Sequence, residues 1–525
     1  MASTPTTKSQ VQAYRFVLRR MESALVRKDA VMLHDPMGSH KRATGAGAAL
    51  AAIGVIGFLV WGLFGGKGTV PEPGNIVIAK ESGSVFVVTS DDRAQKRLIP
   101  MLNMASAKLL VMAQGGQQGS GSVPTTTVKE AALADFPRGP VTGMVNAPTY
   151  LPSADNPAEP SWAICDVGDV ANVSDSRVEE ATEVKTTVIG GDGNHGAELA
   201  PNRSLFVEDQ SSGEEYLIYR VQDLSGNRQH THAVKSKISD DAETVRDIYG
   251  LNSATPRTIT TNMLNAIPTV PDLQVPDIEG GQLDYMSRYQ AGDVVKRTVP
   301  GEQDQYFALM PSGKLEINAG AAAVLHAAKS NSGAIPNATG AITDAPDASG
   351  SDQLDLSYFP MEVPKPTTFQ QADTSCLSWK NINGAHNITV TVNQGSPAVK
   401  PAVKLAQADD TGPKVDYYYA PAGKSAVVRG TSNEAGASSG PIFLVSDQGV
   451  QYGIKDAATA QGLGVIGNAR DLKAGPSWLM RVLPGGDFLD PANASMTYDS
   501  VPVGAGGVNR PPKSDNPQAG AAAGS

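Results

Sequence analysis

Gly423-Lys424-Ser425 is the only stretch of this sequence that ends like a phosphate-binding loop, in which backbone amides at a helix start surround phosphates and a lysine reaches them. Such a loop also needs a glycine five residues earlier, and Tyr418 stands there. Pro421 removes a backbone donor, and Ala426-Val427-Val428-Arg429 reads as strand where the loop requires a helix. The tripeptide reads as a turn between strands, so Gly423, Lys424 and Ser425 stand as ATP candidates within an incomplete loop. His230 and His232, at i and i+2, would share one face of a strand and could approach a metal, but no third ligand follows at a usual spacing. Gly190-Gly191-Asp192-Gly193-Asn194 resembles part of a calcium loop without its alternating acids or closing glutamate, and reads as a turn. No serine sits in a nucleophile elbow near a base. The expectation is a chain with no catalytic residues, no metal ligands and no cofactor. The two cysteines, Cys165 and Cys376, would close a loop of over two hundred residues if paired; the alternative is two buried free thiols.

These residues all follow one element. Gly45 to Phe64 is twenty residues without a charge, which at about 1.5 Å per residue spans the roughly 30 Å core of a bilayer. Trp61 and Phe64 lie at its end, as aromatic rings do at a membrane boundary. Eight basic residues precede it (Lys8, Arg15, Arg19, Arg20, Arg27, Lys28, Lys41, Arg42) against Glu22, Asp29 and Asp35, a net of +5. Of the overall −10, the remainder therefore carries −15. Basic flanks stay cytoplasmic, so the N-terminus is expected inside and everything beyond Lys67 outside. A cleaved signal peptide would have a much shorter basic region and apolar core. The inner half of the span is small (Gly45, Ala48, Ala49, Ala52), which suits close helix packing, whereas its outer half is bulkier. An acidic exterior argues against nucleic acid as the ligand, and an exterior site would meet little ATP.

Before the span, Val11, Tyr14, Leu18, Met21 and Leu25 recur in steps of three and four and form one stripe of an amphipathic helix. Thr7 with Gln10, or Ser9, would cap its start. Arg15, Arg19, Arg20 and Arg27 lie off the stripe. The helix either lies on the anionic inner leaflet or docks on a cytoplasmic partner. His34-Asp35-Pro36 should break it before Lys41 and Arg42 meet the membrane.

Beyond the span the glycine and proline content suits short strands and many turns. An apolar strand with an aromatic, a turn, a second strand and a helical stretch recur four times, around Phe86, Tyr216, Phe307 and Phe443. The spacing is too irregular for a solenoid and suggests four modules around shared strands, with pseudo-two-fold symmetry. Val184 to Ile189, Asn387 to Val392 and Val399 to Leu405 lie near the cysteines and are candidates for a central sheet. Asn331 to Ser351 reads as a long loop. The expected fold is α+β: a single N-terminal transmembrane helix, then four small β-β-α-like repeat modules around a central β-rich domain. The boundaries are a cytoplasmic basic arm 1–44, the span 45–64 and a linker 65–74. Module 1 (75–115) precedes the first part of the central domain (116–200), and module 2 (201–255) a connecting segment (256–287). Module 3 (288–330) precedes a loop and the second central part (331–436). Module 4 with a closing segment (437–503) and a disordered tail (504–525) complete the chain.

Several stretches together resemble one family. Thr7-Lys8-Ser9-Gln10-Val11, Tyr14-Arg15-Phe16 and Arg19-Arg20-Met21-Glu22 look like the start of EccB proteins, core membrane components of the actinobacterial type VII (ESX) secretion system. Outside, the likeness continues through Leu102 to Leu109, Pro137-Arg138-Gly139-Pro140 and Ser161-Trp162-Ala163-Ile164-Cys165-Asp166. It runs on through Leu264-Asn265-Ala266-Ile267-Pro268, Asp447 to Ile454, and Trp478 to Gly486. The resemblance implies a single-pass inner-membrane protein with an elongated periplasmic part, four repeats around a central domain, and one disulfide. It implies as partners the EccC motor ATPase, EccD, EccE, the mycosin protease and other EccB copies. It tips the inner helix toward docking through Val11, Tyr14, Arg15, Leu18, Arg19, Arg20, Met21 and Leu25. A structural secretion subunit is thus the leading expectation. The alternatives are an ATPase, as the family is often labelled despite the incomplete loop here, and an envelope or peptidoglycan-binding module.

Overall fold

The computed structural model describes residues 7–28, 36–64, 70–90, 95–115, 123–168, 183–191, 195–222, 231–298, 300–301, 303–329, 333–382, 385–395, 402–409, 414–421, 424, 426–431 and 439–499. The chain divides into two compact units, 1–70 and 71–525.

In the first unit, α1 (Lys8–Arg27) starts at the expected capping pair, where Gln10 Oε1 accepts the Thr7 backbone N–H at 2.9 Å. It ends at Lys28, which holds a φ of 56°. The next helix, α2 (Pro36–Phe64), begins earlier than the apolar run that announces it. Pro36 is the cause. Its fixed φ suits a first helical turn, where the missing N–H would have no intrahelical acceptor anyway. Lys41 and Arg42 consequently lie within α2 rather than ahead of it. Its length of 29 residues corresponds to about 43 Å and overshoots a hydrocarbon core of roughly 30 Å. Arg42–Leu59 is long and apolar enough to cross a membrane, and none of it is buried.

Among its described residues the second unit contains four small sheets, a two-stranded pairing of Gln282–Leu283 with Met286–Gln290, and a larger sheet. The first sheet orders its strands Thr497–Tyr498, Val141–Thr142, Lys96–Met101, Val85–Ser90, Ile76–Ala79, Thr125–Val128, and is followed by α3 (Met104–Ala113). Asn103 caps α3 by accepting the Ser106 N–H at 2.8 Å. The second sheet runs Thr231–Lys237, Glu215–Gln222, Arg203–Asp209, Arg257–Ile259, with α4 (Glu243–Ile248) and α5 (Thr261–Ala266). The third holds Val294–Arg297, Gln305–Met310 and Gly313–Ile317, with α6 (Ala319–Ala328) and α7 (Gly340–Thr343). The fourth runs Gln451–Ile454, Ile442–Val445, Ala426–Thr431, Lys473–Pro476, with α8 (Ala457–Leu463) and α9 (Ser477–Val482).

In each small sheet the apolar strand singled out by the sequence is the middle of three antiparallel strands. The strand before it goes unread in the first three sheets, whereas in the fourth it is Ala426–Thr431, which the sequence already marks as strand. The sequence reading also passes over the return strands Thr125–Val128, Arg257–Ile259 and Lys473–Pro476, which run parallel to the first strands of their sheets. A further backbone pattern recurs in all four. The N–H groups of Leu98, Lys235, Lys314 and Gln451, each on a third strand, donate to the carbonyls of Pro137, Pro268, Pro346 and Pro484 at 2.8–2.9 Å. Gly139, Val270, Ala348 and Gly486, two residues past those prolines, donate back to the same strand residues. The Asn331 to Ser351 stretch departs from its reading as a long loop. It contains α7 and bridges the third sheet in parallel at Lys296–Asn337 and Lys314–Asp347. Those contacts are made by backbone, so a lack of apolar bulk does not reveal them.

The helices then pack in pairs. Alongside α8 lies α3, and Lys108 Nζ donates to Leu463 O at 2.6 Å; Leu109, Leu444, Ile454 and Leu463 share their core. Similarly α4 lies alongside α6, with Leu217, Val245, Ala308 and Leu325 in a common cluster. The larger sheet runs Val403–Lys404, Tyr417–Tyr419, Val184–Gly190, Ser161–Gly168, Thr374–Ile382, Ala385–Asn393, Ala197–Glu198. It includes strands from all three stretches expected in a central sheet. One face presents Trp162, Ile164, Leu377 and Trp379 to Met263 and Leu264 of α5 and to Leu479 and Met480 of α9. Because the sheet is buried on both faces, Ser161–Gly168 shows almost no exposed side chain and little polar alternation.

Candidate functional site

The two cysteines stand opposite each other in the middle of the larger sheet. Cys165 and Cys376 are partners in an antiparallel register that also pairs Trp162 with Trp379, and their Cα atoms are 4.0 Å apart. They are joined by a disulfide and are both fully buried. Their face of the sheet carries Ala163 and Ile189, and the tryptophans occupy the other. The alternative of two free thiols is thereby corrected. The register places the two cysteines face to face, and the bridge ties strands 211 residues apart.

One turn of the sheet away lies a buried polar junction. Asp166 Oδ2 accepts the Thr260 N–H and the Thr260 hydroxyl, both at 2.7 Å, and Oδ1 accepts the Thr186 hydroxyl at 3.0 Å. Thr260 is also the N-cap of α5. Burial pushes the Asp166 carboxyl up to about 6, against the pull of its hydrogen bonds, and the neighbouring Asp416 adds to the rise. The sequence reading quotes Asp166 only as part of a family stretch. The available signal was an acid at the end of a strand otherwise too apolar to face solvent.

Two lysines close helix ends in the second and third sheets. Lys235 Nζ donates to Leu264 O at 2.7 Å, in the last turn of α5, and burial lowers the lysine from its ordinary range. Lys314 Nζ reaches Thr343 O at 3.1 Å and also Ala345 O, just past α7. Leu98 and Gln451 hold the matching third-strand positions in the first and fourth sheets.

Of the phosphate-loop candidates only Lys424 lies among the described residues. Lys424 sits in a turn whose N–H donates to Pro421 O at 3.0 Å, and the strand Ala426–Thr431 follows where a phosphate loop would launch a helix. Gly423 and Ser425 lie outside the described residues, as do His230 and the Asp192 to Asn194 stretch. His232 lies on Thr231–Lys237, and Gly190 closes Val184–Gly190. Among the described residues no cluster of three or more His, Cys, Asp or Glu is placed to hold a metal.

The docking candidates are placed differently. Tyr14, Leu18, Met21 and Leu25 of α1 are 46–82% exposed, and Val11 is exposed beside them. Arg15 and Arg20 are exposed, and Arg19 is half-buried. The apolar stripe is uncovered, as is nearly all of this helix. On α2, Gly45, Ala48, Ala49 and Ala52 are all exposed, and a Cβ added at Gly45 would meet nothing within 4 Å.

Residues 3–503 match the family described as "Type VII secretion system ESX-1, transport TM domain B". The chain belongs to the EccB family. It is 28% identical to the ESX-3 secretion system ATPase EccB3 of Mycolicibacterium smegmatis, over 94% of this chain and 91% of that protein. Against the ESX-5 secretion system ATPase EccB5 of Mycobacterium tuberculosis the identity is 26%, over 95% of this chain and 94% of the relative. Among solved structures, a chain of an intact ESX-5 inner membrane complex superposes with a TM-score of 0.65 at 22% identity, covering 97% of this chain and 99% of that one. A chain of the EccB3 dimer from the ESX-3 core complex gives 0.63 at 22% identity, covering 81% and 100%. These structural likenesses establish that the EccB-family chain has the α+β fold of those proteins, with one candidate membrane-crossing helix near its N-terminus.

Proposed function

We propose that this EccB-family chain is a structural core subunit of a type VII (ESX) secretion complex in the inner membrane. In this reading α2 crosses the membrane with the N-terminus cytoplasmic, and α1 docks on the motor or scaffold subunits EccC, EccD or EccE. The residues beyond 70 are periplasmic, where they oligomerise with other copies and meet the mycosin protease. The four sheets act as β-β-α-like repeat modules around the central sheet, paired first with fourth and second with third. The observation that carries the reading is the open apolar stripe of α1, bordered by arginines, in a chain whose other large unit buries its own apolar residues. Membership of the relatives in ESX inner membrane complexes supports it. Purification of the tagged chain from membranes should recover the other core subunits, and Arg19→Glu with Arg20→Glu should lose them. Assembly unaffected by that charge reversal rules out docking through α1.

A second reading is supported by the relatives' own names, which call them ATPases. Hydrolysis of ATP by the purified chain that disappears in Lys424→Ala would establish it, whereas hydrolysis indifferent to that change would point to a contaminant.

A further inference from the structure

The first and fourth sheets meet at a cleft that their packing leaves open. The segment after Val141–Thr142 and the segment after the Pro484 bridge are stitched together there. Asn146 N–H donates to Asp487 Oδ2 at 2.9 Å, and Asp487 N–H donates to Asn146 O at 3.1 Å. The cleft encloses about 280 Å³, at the small end of ligand-sized pockets, and its lining includes Met144, Asn146, Asp487, Phe488, Met496 and Tyr498. Phe488 is 49% and Met496 51% exposed, in a unit whose large apolar residues are mostly buried. The Tyr498 hydroxyl lies 3.5 Å from Met496 Sδ, so ring and thioether form one wall. Asp487 supplies charge. Its neighbour Asp490 has Lys455 Nζ at 3.2 Å, whereas among the described residues no cation pairs with Asp487. Thr497–Tyr498 is the outermost strand of the first sheet, and among the described residues only Val141–Thr142 pairs with it. The peptide groups along its other edge are therefore available to an extended segment.

The chain itself leaves from this place. Asp499 follows Tyr498 and is the last described residue; residues 500–525 lie outside the described residues. Their sequence contains Arg510-Pro511-Pro512-Lys513, and its two cations are the only basic residues after Arg481. Adjacent prolines favour the polyproline II conformation, which aromatic-lined grooves bind at little ordering cost. Eleven residues separate Tyr498 from Arg510, and three of them are glycines that permit a tight reversal. Their extended reach is about 36–40 Å, ample for return to a cleft that Tyr498 itself lines.

We propose that this cleft is a binding site for a cationic, proline-containing peptide, and that residues 510–513 of the same chain occupy it. The prolines lie against Phe488 and Tyr498, and a flanking cation meets Asp487. Weak contacts suffice, because a short tether supplies an effective concentration of about 1 mM. The cleft is thus a peptide site closed by its own chain and open to a competing segment of the same chemistry.

Fluorescence anisotropy of a labelled peptide of residues 508–515, titrated with the full chain in detergent, tests this. The peptide should bind the variant Arg510→Glu with Lys513→Glu about tenfold more tightly than the unaltered chain, as an effective concentration near 1 mM gives against an intrinsic dissociation constant near 0.1 mM. Both of those substitutions lie outside the packed sheets. Added to that variant, Phe488→Ala should abolish the gain. Asp487→Asn keeps an acceptor for the Asn146 N–H, and should weaken binding roughly twofold to fivefold and flatten its salt dependence. Equal binding by the unaltered chain and the double variant, or binding indifferent to both cleft substitutions, would overturn the assignment. So would a tenfold difference that vanishes on dilution of the chain, because the occupying segment would then come from a second copy.

Discussion

Residues 1–70 and residues 71–525 use the same apolar side chains in opposite ways. Among the described side chains of α1 and α2, the leucines, valines and isoleucines are exposed, with Leu25 and Phe58 more than four-fifths so. Beyond Pro71, large apolar residues close into shared clusters between paired sheets, and Trp162, Trp379, Tyr219 and Phe359 are all buried. A soluble unit of ordinary composition hides its apolar surface in itself, whereas the first unit leaves it for a bilayer or a partner to cover. The difference teaches where to look: packing stability resides in the clusters of the second unit, and the proposed attachment would be sought in the first.

Removing the disulfide is the strongest way to probe the second unit alone. Cys165→Ser with Cys376→Ser opens a loop spanning 211 residues of sequence and should cost roughly 5 kcal/mol of unfolding free energy in the chain-entropy model. Thermal unfolding of the full chain followed by tryptophan fluorescence would read this as a large fall in midpoint, with membrane insertion unaltered. Trp379→Ala, which empties a fully packed position, should cost about 3–5 kcal/mol by the same assay. Lys235→Met keeps most of the stem's packing but leaves the Leu264 carbonyl without its charged donor. It should cost about 1–3 kcal/mol, and Leu98→Met, at the matching position without such a bond, should cost well under that. At the small end, Leu18→Asp with Met21→Asp should change unfolding of the second unit by less than about 0.5 kcal/mol. The same double variant should abolish co-purification with membrane partners. A large stability effect there, or retained assembly, breaks the contrast between the units.

Some of this architecture was legible in the residues, for physical reasons. The middle strands were visible because each is buried on at least one face and so carries an apolar run with an aromatic, as at Phe86, Tyr216, Phe307 and Phe443. The strands beside them were not. Thr125–Val128 is an edge of three exposed threonines, and Lys473–Pro476 ends in a proline, so neither shows an apolar pattern. The four proline bridges were present as Pro137, Pro268, Pro346 and Pro484, yet they act through backbone carbonyls and leave no side-chain signature. Cysteine count suggested a bridge, but the register that sets Trp162 against Trp379 joins segments too distant for any local pattern to specify. The Asp166 junction was hidden for a related reason, since its partners Thr186, Thr260 and Asp416 come from three separate stretches. α2 starts at Pro36, ahead of the uncharged run, because a proline's fixed φ and missing N–H suit a first helical turn.

The first sheet has a mechanical consequence. Its strand Ile76–Ala79 is, among the described residues, the first after the candidate membrane-crossing helix, and it lies between an antiparallel neighbour, Val85–Ser90, and a parallel one, Thr125–Val128. Tension entering the second unit from its N-terminal end would run along this strand, so the rungs on both sides would bear it together in shear instead of parting one at a time as in a zipper. The same sheet ends in Thr497–Tyr498, from the far end of the described chain, paired with Val141–Thr142. Load applied at either end of the second unit thus reaches the same sheet first.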